Sequence, residues 1–347
     1  MPNETDLQSQ PTHVLSPAFK TALLKGSSLN PILKAVQLDD TLLLGIRSGY
    51  ISIYYRGGEL LKIKDTNKSS FDACFNEMYD TNKVLPQRLQ RHGLSGETSW
   101  NLSTSAQSEE LVGVFHELKR LMDHHNKIRS GHEREFQQLI ARMNNRSRSS
   151  NSSHYFITDI EHAKESARFD MLGVRWRHNE HQRGDCLVPV LFEVKHGEKA
   201  IAGGASLEKH LRDALNHVSN PSDRKKLLAN IESQFNALYD LDLLECERGK
   251  AIASFTVVKD CMQIVFVIAE YPPHSNQLQN ALSRLDDVLQ EFSPKLEAQG
   301  VRVDLRFAGA SLCGYAMYEE TMLSVEQLRS LLGVSAKSTG PGVPLTS

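Results

Sequence analysis

Two carboxylates and an amine fall on neighbouring strand-like segments, and they are the residues of this chain best suited to chemistry. Asp170 lies in ARFDMLGVRW (Ala167–Trp176), and Glu193, Val194 and Lys195 lie in CLVPVLFEVKH (Cys186–His196). Both segments are rich in branched and aromatic residues and read as buried strands. Side chains alternate across a strand, so Asp170 shares a face with Leu172, Val174 and Trp176, and Glu193 and Lys195 share one with Leu191. An unpaired carboxylate on such a face is strongly penalised, and its remedies are an ion pair, a pKa shift or a divalent cation. Mg2+ suits two acids at adjacent strand ends. It takes oxygen ligands from one or two carboxylates and completes its octahedron with water and phosphate oxygens. A cation so held neutralises charge developing at phosphorus and lowers the pKa of bound water, and Lys195 orients that water or stabilises the leaving charge. The competing assignment is a buried acid–lysine pair that stabilises the sheet and nothing more.

The flanking segments supply the elements that would position these groups. HYFITDIEHA (His154–Ala163) reads as a preceding strand, and the polar RHNEHQRGD (Arg177–Asp185), with Gly184, as the turn between the two acidic strands. Gly203-Gly204-Ala205-Ser206 leads into LEKHLRDALNHV, a helix with Ser206 as its N-cap. A strand, an Asp strand, a Glu-x-Lys strand and then a helix, over about Glu109 to Glu270, resemble the PD-(D/E)XK nuclease superfamily with its restriction-endonuclease-like fold. The resemblance implies that Asp170 and Glu193 hold Mg2+ or Mn2+, that the Val194 carbonyl adds a ligand, and that Lys195 positions or activates the attacking water. The proline usual just before the Asp is absent, with Arg168-Phe169 in its place.

Further groups are assigned around this centre. Glu161, near the end of the first strand, is the first choice for an additional carboxylate at the metal. Members of the superfamily also draw a Glu from the helix before that strand, which points to Glu135 in HEREFQQLIARM. Lys209 and His210, in the first turns of the helix after Ser206, are candidates to meet a phosphate or a metal-bound water. The formal net charge is −2, so nucleic acid would have to be met by a local patch rather than bulk charge. The basic run from Lys119 to Arg148, with Arg142, Arg146 and Arg148, extended by Arg175 and Arg177, is the candidate track along a phosphate backbone.

Composition places the chain among globular proteins, with 347 residues of which 40% are hydrophobic and 24% charged. Five scattered cysteines, with no C-x-x-C and no matching His pairs, exclude an obvious zinc site and a disulfide framework. Cys186 and Cys261 read as small core residues, and the His124-His125 and His178/His181 pairs as surface residues. No apolar run is of membrane-spanning length and the N-terminus is no secretory signal, which points to a cytoplasmic protein. TLLLGIRS, YISIYYRG and ELLKIK, between Asp40 and Lys64, read as an antiparallel meander. Glu109 to about Asn144 reads as a long helix broken near Ser130-Gly131, Pro221 to Arg248 as a helix capped by Gly249, and ASFTVV with MQIVFVIAEY as a strand pair. Ser275 to Phe292 reads as an amphipathic helix, VRVDLRFAG as a strand and Ser324 to Leu332 as a short helix. The expected fold is α/β, a central mixed β-sheet flanked by helices with an N-terminal antiparallel meander. The expected organisation is tails at 1–17 and 336–347, an N-terminal region at 18–105 and a core at 106–335. The expected function is metal-dependent cleavage of nucleic acid, DNA first, in bacterial restriction or phage defence. The alternative is an inactive module binding nucleic acid or a protein. A homodimer is expected on duplex DNA, with apolar faces of the meander and the Ser275–Phe292 helix available for its interface.

Overall fold

Two five-stranded sheets organise the chain, one wholly antiparallel and one mixed, in the computed structural model, which describes residues 11–66, 70–128, 132–147, 150–164, 167–197, 199–202, 206–246, 252–269, 276–309 and 317–333. The first sheet follows helices α1 (Pro17–Leu23) and α2 (Asn30–Leu38). It is a meander in sequence order, β1 (Leu42–Arg47), β2 (Tyr50–Tyr55), β3 (Gly58–Asp65), β4 (Phe71–Cys74) and β5 (Ser99–Leu102). The β2–β3 turn is Arg56-Gly57, both with positive φ (48° and 71°), as a tight hairpin requires. α3 (Leu85–Arg91), α4 (Ser105–Gly113) and α5 (Phe115–Ile128) cover this sheet, with Leu85, Leu89, Leu111, Leu118 and Met122 fully buried. The change to the second sheet therefore falls between α5 and the next helix, later than residue 105. The long helix expected over Glu109–Asn144 is three helices, because it also breaks at Val114.

The second sheet begins after α6 (His132–Asn145) and runs in the order β10-β9-β8-β7-β6. β6 (Tyr155–Lys164), β7 (Ala167–Arg175) and β8 (Val188–His196) are antiparallel neighbours. β9 (Cys261–Ala269) and β10 (Arg302–Ala308) continue the sheet parallel to β8. The right place for such parallel connections to hide is under helices: α7 (Lys199–Ala202), α8 (Leu207–Ser219) and α9 (Pro221–Asp240) lie between β8 and β9, and α10 (Gln277–Glu297) between β9 and β10. α11 (Val325–Leu332) follows where a short helix was expected, with Ser324 as its cap. α6 buries Ile140 and Ala141 among Met171, Phe192 and Val194 on one side of the sheet, while α8 and α9 cover Leu172, Leu191 and Trp176 on the other.

Several local expectations are corrected. ASFTVV forms no strand beyond one bridge, Leu187 to Val257, because Asn236 and Glu232 of α9 bind the backbone of Phe255 and Val257 and so replace a ladder. α9 ends at Asp240, with Asp242 turning the chain at φ 56°, well before Gly249, which lies outside the described residues. His181 and His125 are buried, His181 stacking on Trp176 at 4.1 Å, so neither is a surface residue. Cys186 and Cys261 are half-buried. The apolar residues of α10, Leu278, Leu282, Leu285 and Val288, pack within the chain, as do Ile51, Ile53, Leu61 and Ile63 of the meander; those faces are not free for a partner.

A buried ion pair ties the two sheets together. Arg47, at the end of β1, pairs with Asp159 of β6 and also donates to the Ile160 carbonyl (2.7 Å) and the Tyr54 hydroxyl (2.9 Å). Gln234 of α9 donates to the second Asp159 oxygen at 3.1 Å. A carboxylate this buried persists because its lone pairs are met by a cation and an amide. Among the described residues no helix is long and apolar enough to cross a membrane.

Candidate active site

β7 and β8 part company at the acidic residues. Their ladder ends at Met171 opposite Phe192; beyond it Phe169, Arg168 and Ala167 pair only with β6, while Glu193 to His196 pair only with β9. Asp170 and Glu193 stand on the two arms at this fork, next in register after the last rung. Divergence leaves the Val194 amide without a ladder carbonyl on the β7 side, and it donates instead to Asp170 Oδ2 at 2.8 Å. On β8 the two-residue repeat brings Lys195 Nζ to Glu193 Oε1 at 2.7 Å. α8, started by the Ser206 cap as expected, carries His210 to the same oxygen, with Nδ1 at 2.8 Å. The His210 Nε2 atom is buried and has no hydrogen-bond partner among the described residues.

The two carboxylates are nearly equally buried, at 8% exposure for Asp170 and 7% for Glu193, yet they differ in charge state. Burial, followed by the negative charge of Glu193 and more weakly of Glu133, pushes Asp170 up to about 8, against the opposing pull of the Val194 amide and Lys195. Burial acts on Glu193 in the same sense, but the His210 hydrogen bond and the Lys195 ammonium outweigh it and hold the group below the ordinary carboxylate range. The site is thus a protonatable acid beside a permanent carboxylate, a separation typical of functional pairs.

The remaining sequence assignments scatter. Glu135 is held away from the centre by Arg56, which reaches it through Nε at 2.7 Å. The helix glutamate whose charge bears on Asp170 is Glu133, half-buried in the first turn of α6. Two residues along a helix is a rotation of about 200°, so Glu133 and Glu135 face opposite ways from α6, and Glu135 is the one that meets Arg56. Glu161 belongs to β6, and its side chain lies outside what is described. Lys209 is exposed while its neighbour His210 turns inward. The described arginines of the expected phosphate track each have a partner within the fold. Arg142 pairs with Asp40 at 2.6 Å, Arg146 caps α2 through the Val36 and Gln37 carbonyls, and Arg175 and Arg177 grip opposite oxygens of Glu319 at 2.6 Å each. Arg148 lies outside the described residues.

The donor set fits a hard divalent cation. Asp170 has the Val194 amide as its hydrogen-bond partner and no ion-pair partner among the described residues, and burial, reinforced by the Glu193 charge, is what drives its pKa up. Asp170 and Glu193, with the Val194 carbonyl, are the groups that would hold such an ion, with Glu133 as a further carboxylate whose charge reaches Asp170. Family models, curated proteins and solved structures were compared with the chain, and none matches it.

Proposed function

We propose that the chain is a metal-dependent nuclease of the PD-(D/E)XK type, hydrolysing phosphodiester bonds in nucleic acid, with DNA as the first substrate to test. The observation that carries this reading is the fork: two buried acids on diverging strands, one of them with no ion-pair partner among the described residues, with the Lys195 ammonium 2.7 Å from the second. Strand, Asp strand, Glu-x-Lys strand and helix occur in the order that the resemblance requires, as β6, β7, β8 and α8.

When bound at Asp170 and Glu193, Mg2+ or Mn2+ would supply Lewis-acid stabilisation of the phosphorane charge and a water of lowered pKa. The protein's own part is positional. The Val194 amide fixes the Asp170 carboxylate, His210 and Lys195 share one Glu193 oxygen and so leave the other, Oε2, to face outward from them, and Lys195 holds an ammonium where negative charge develops. The Lys195–Glu193 pair also favours a second reading, in which the cluster is structural and the chain a silent binding module. The two separate in one assay. Purified protein is incubated with supercoiled, linear and single-stranded DNA and with RNA, in Mg2+, Mn2+ or EDTA, beside a folded Asp170→Asn variant. Cleavage that needs the divalent ion and Asp170 supports the nuclease. No cleavage and no divalent uptake by the wild type refutes it in favour of the silent module.

A further inference from the structure

A second constellation of ligand atoms lies on the other sheet system. His92 is the residue that caps the C-terminus of α3, and His116 and Glu117 open α5. The sequence keeps His92 well apart from the other two, which is why no metal spacing is legible there. Folding brings one ligand atom from each of the three within 4.8 Å of the others. The imidazole rings meet edge to face at 5.2 Å, and His116 Nε2 lies 3.8 Å from Glu117 Oε1. Arg88, one turn before His92 on α3, donates to the other oxygen, Oε2, at 2.7 Å. That bond orients the carboxylate so that Oε1 is the atom presented to the histidines, the service an outer hydrogen bond performs for a ligand. The frame is stiff, since Leu85 and Leu89 of α3 and Leu118 of α5 are fully buried.

We infer that His92, His116 and Glu117 form a surface site for a borderline transition-metal dication such as Zn2+, which staples the end of α3 to the start of α5. The ligand chemistry decides the class. Two imidazole nitrogens and one carboxylate oxygen suit Zn2+, Co2+ or Ni2+, with water completing a tetrahedral shell, whereas Mg2+ and Ca2+ prefer oxygen alone. The site is therefore chemically separate from the all-oxygen set at Asp170 and Glu193, and does not depend on the nuclease reading. Both histidines are exposed, so the ion has an open approach.

The test uses the full chain with any polyhistidine tag removed. Co2+ titrated into the wild type gives a visible ligand-field spectrum of low coordination number, displaced by Zn2+ at one equivalent and unaffected by millimolar Mg2+. His92→Ala and His116→Ala each weaken uptake by at least about 10-fold, and Glu117→Gln by a smaller factor. Asp170→Asn leaves this low-coordination band unchanged. Circular dichroism confirms folding of each variant, which the exposure of both histidines favours. No low-coordination Co2+ band in the wild type, or a band that survives both histidine substitutions, overturns the assignment. Loss of the band in Asp170→Asn would overturn it as well, by moving the ion that gives it to the other site.

Discussion

Replacing Asp170 by Asn should make the metal-free protein more stable, and by an amount that grows with pH. The Asp170 carboxyl titrates near 8 in the fold against an ordinary value of 3.8. Between those values the folded chain binds a proton that the unfolded chain does not. This group's contribution is therefore intact below about pH 4 and is lost progressively as pH rises towards 8. At pH 7 the interval above 3.8 corresponds to about 4 kcal/mol, at about 1.4 kcal/mol per pH unit. Water entry and relaxation around the group make that an upper bound. Asn keeps an oxygen for the Val194 amide and carries no charge, so it escapes the penalty. Urea unfolding in EDTA, followed by circular dichroism at pH 4.5, 6 and 7.5, should show a gap close to zero at the lowest pH and widest at the highest. Added Mn2+ should narrow it by stabilising only the wild type. A variant no more stable than wild type at pH 7.5, or a gap that ignores pH, would refute the argument that Asp170 is held neutral by its surroundings.

Other consequences follow from particular contacts. Asp159→Ala strands the buried Arg47 guanidinium and should cost about 3–5 kcal/mol in denaturant unfolding. Glu193→Ala strands Lys195 in the same way, so activity is better tested with Glu193→Gln, which should lower divalent-dependent cleavage by at least about 100-fold while the circular dichroism spectrum is retained. At Gly57, with φ 71°, an added Cβ would lie 2.3 Å from the Arg134 backbone of α6. Gly57→Ala should therefore cost about 1–3 kcal/mol in thermal or urea unfolding, and weaken Mn2+ binding by calorimetry because α6 carries Glu133. Arg146→Ala uncovers the last carbonyls of α2 and should lower stability by about 1–3 kcal/mol, leaving the salt dependence of DNA binding unchanged in filter or fluorescence titrations.

The strands bearing Asp170 and Glu193 were legible because their signals are local: apolar alternation, a polar glycine-containing turn, and acids where acids need a reason. His210 was a candidate on the same grounds, since the Ser206 cap sets the phase of α8 and hence which way its first turn points. What stayed hidden depends on distant partners. Whether Glu133 or Glu135 faces the site follows from the rotation of α6, which Arg56 and Gly57 of a hairpin far back in sequence impose. The partners of the basic run, Asp40, the carbonyls of α2 and Glu319, are remote in the chain and leave no mark on its composition. Phe255 and Val257 had the composition of a strand, but Asn236 and Glu232 claimed their backbone. The His92, His116 and Glu117 grouping has no regular spacing to read at all.

The Val194 amide gives the fork a built-in reporter. Most strand amides bond to a carbonyl and register only whether the sheet is open or closed. This one bonds to the carboxyl group of Asp170, so its proton sees a change of charge one bond away. Its nuclear magnetic resonance shift should follow the ionisation of that carboxyl along a pH titration and move again when the carboxylate is drawn onto an ion. Its exchange with solvent deuterium would slow when the pairing tightens. A single labelled backbone position can then distinguish an empty, protonated fork from an occupied one, without substrate or turnover.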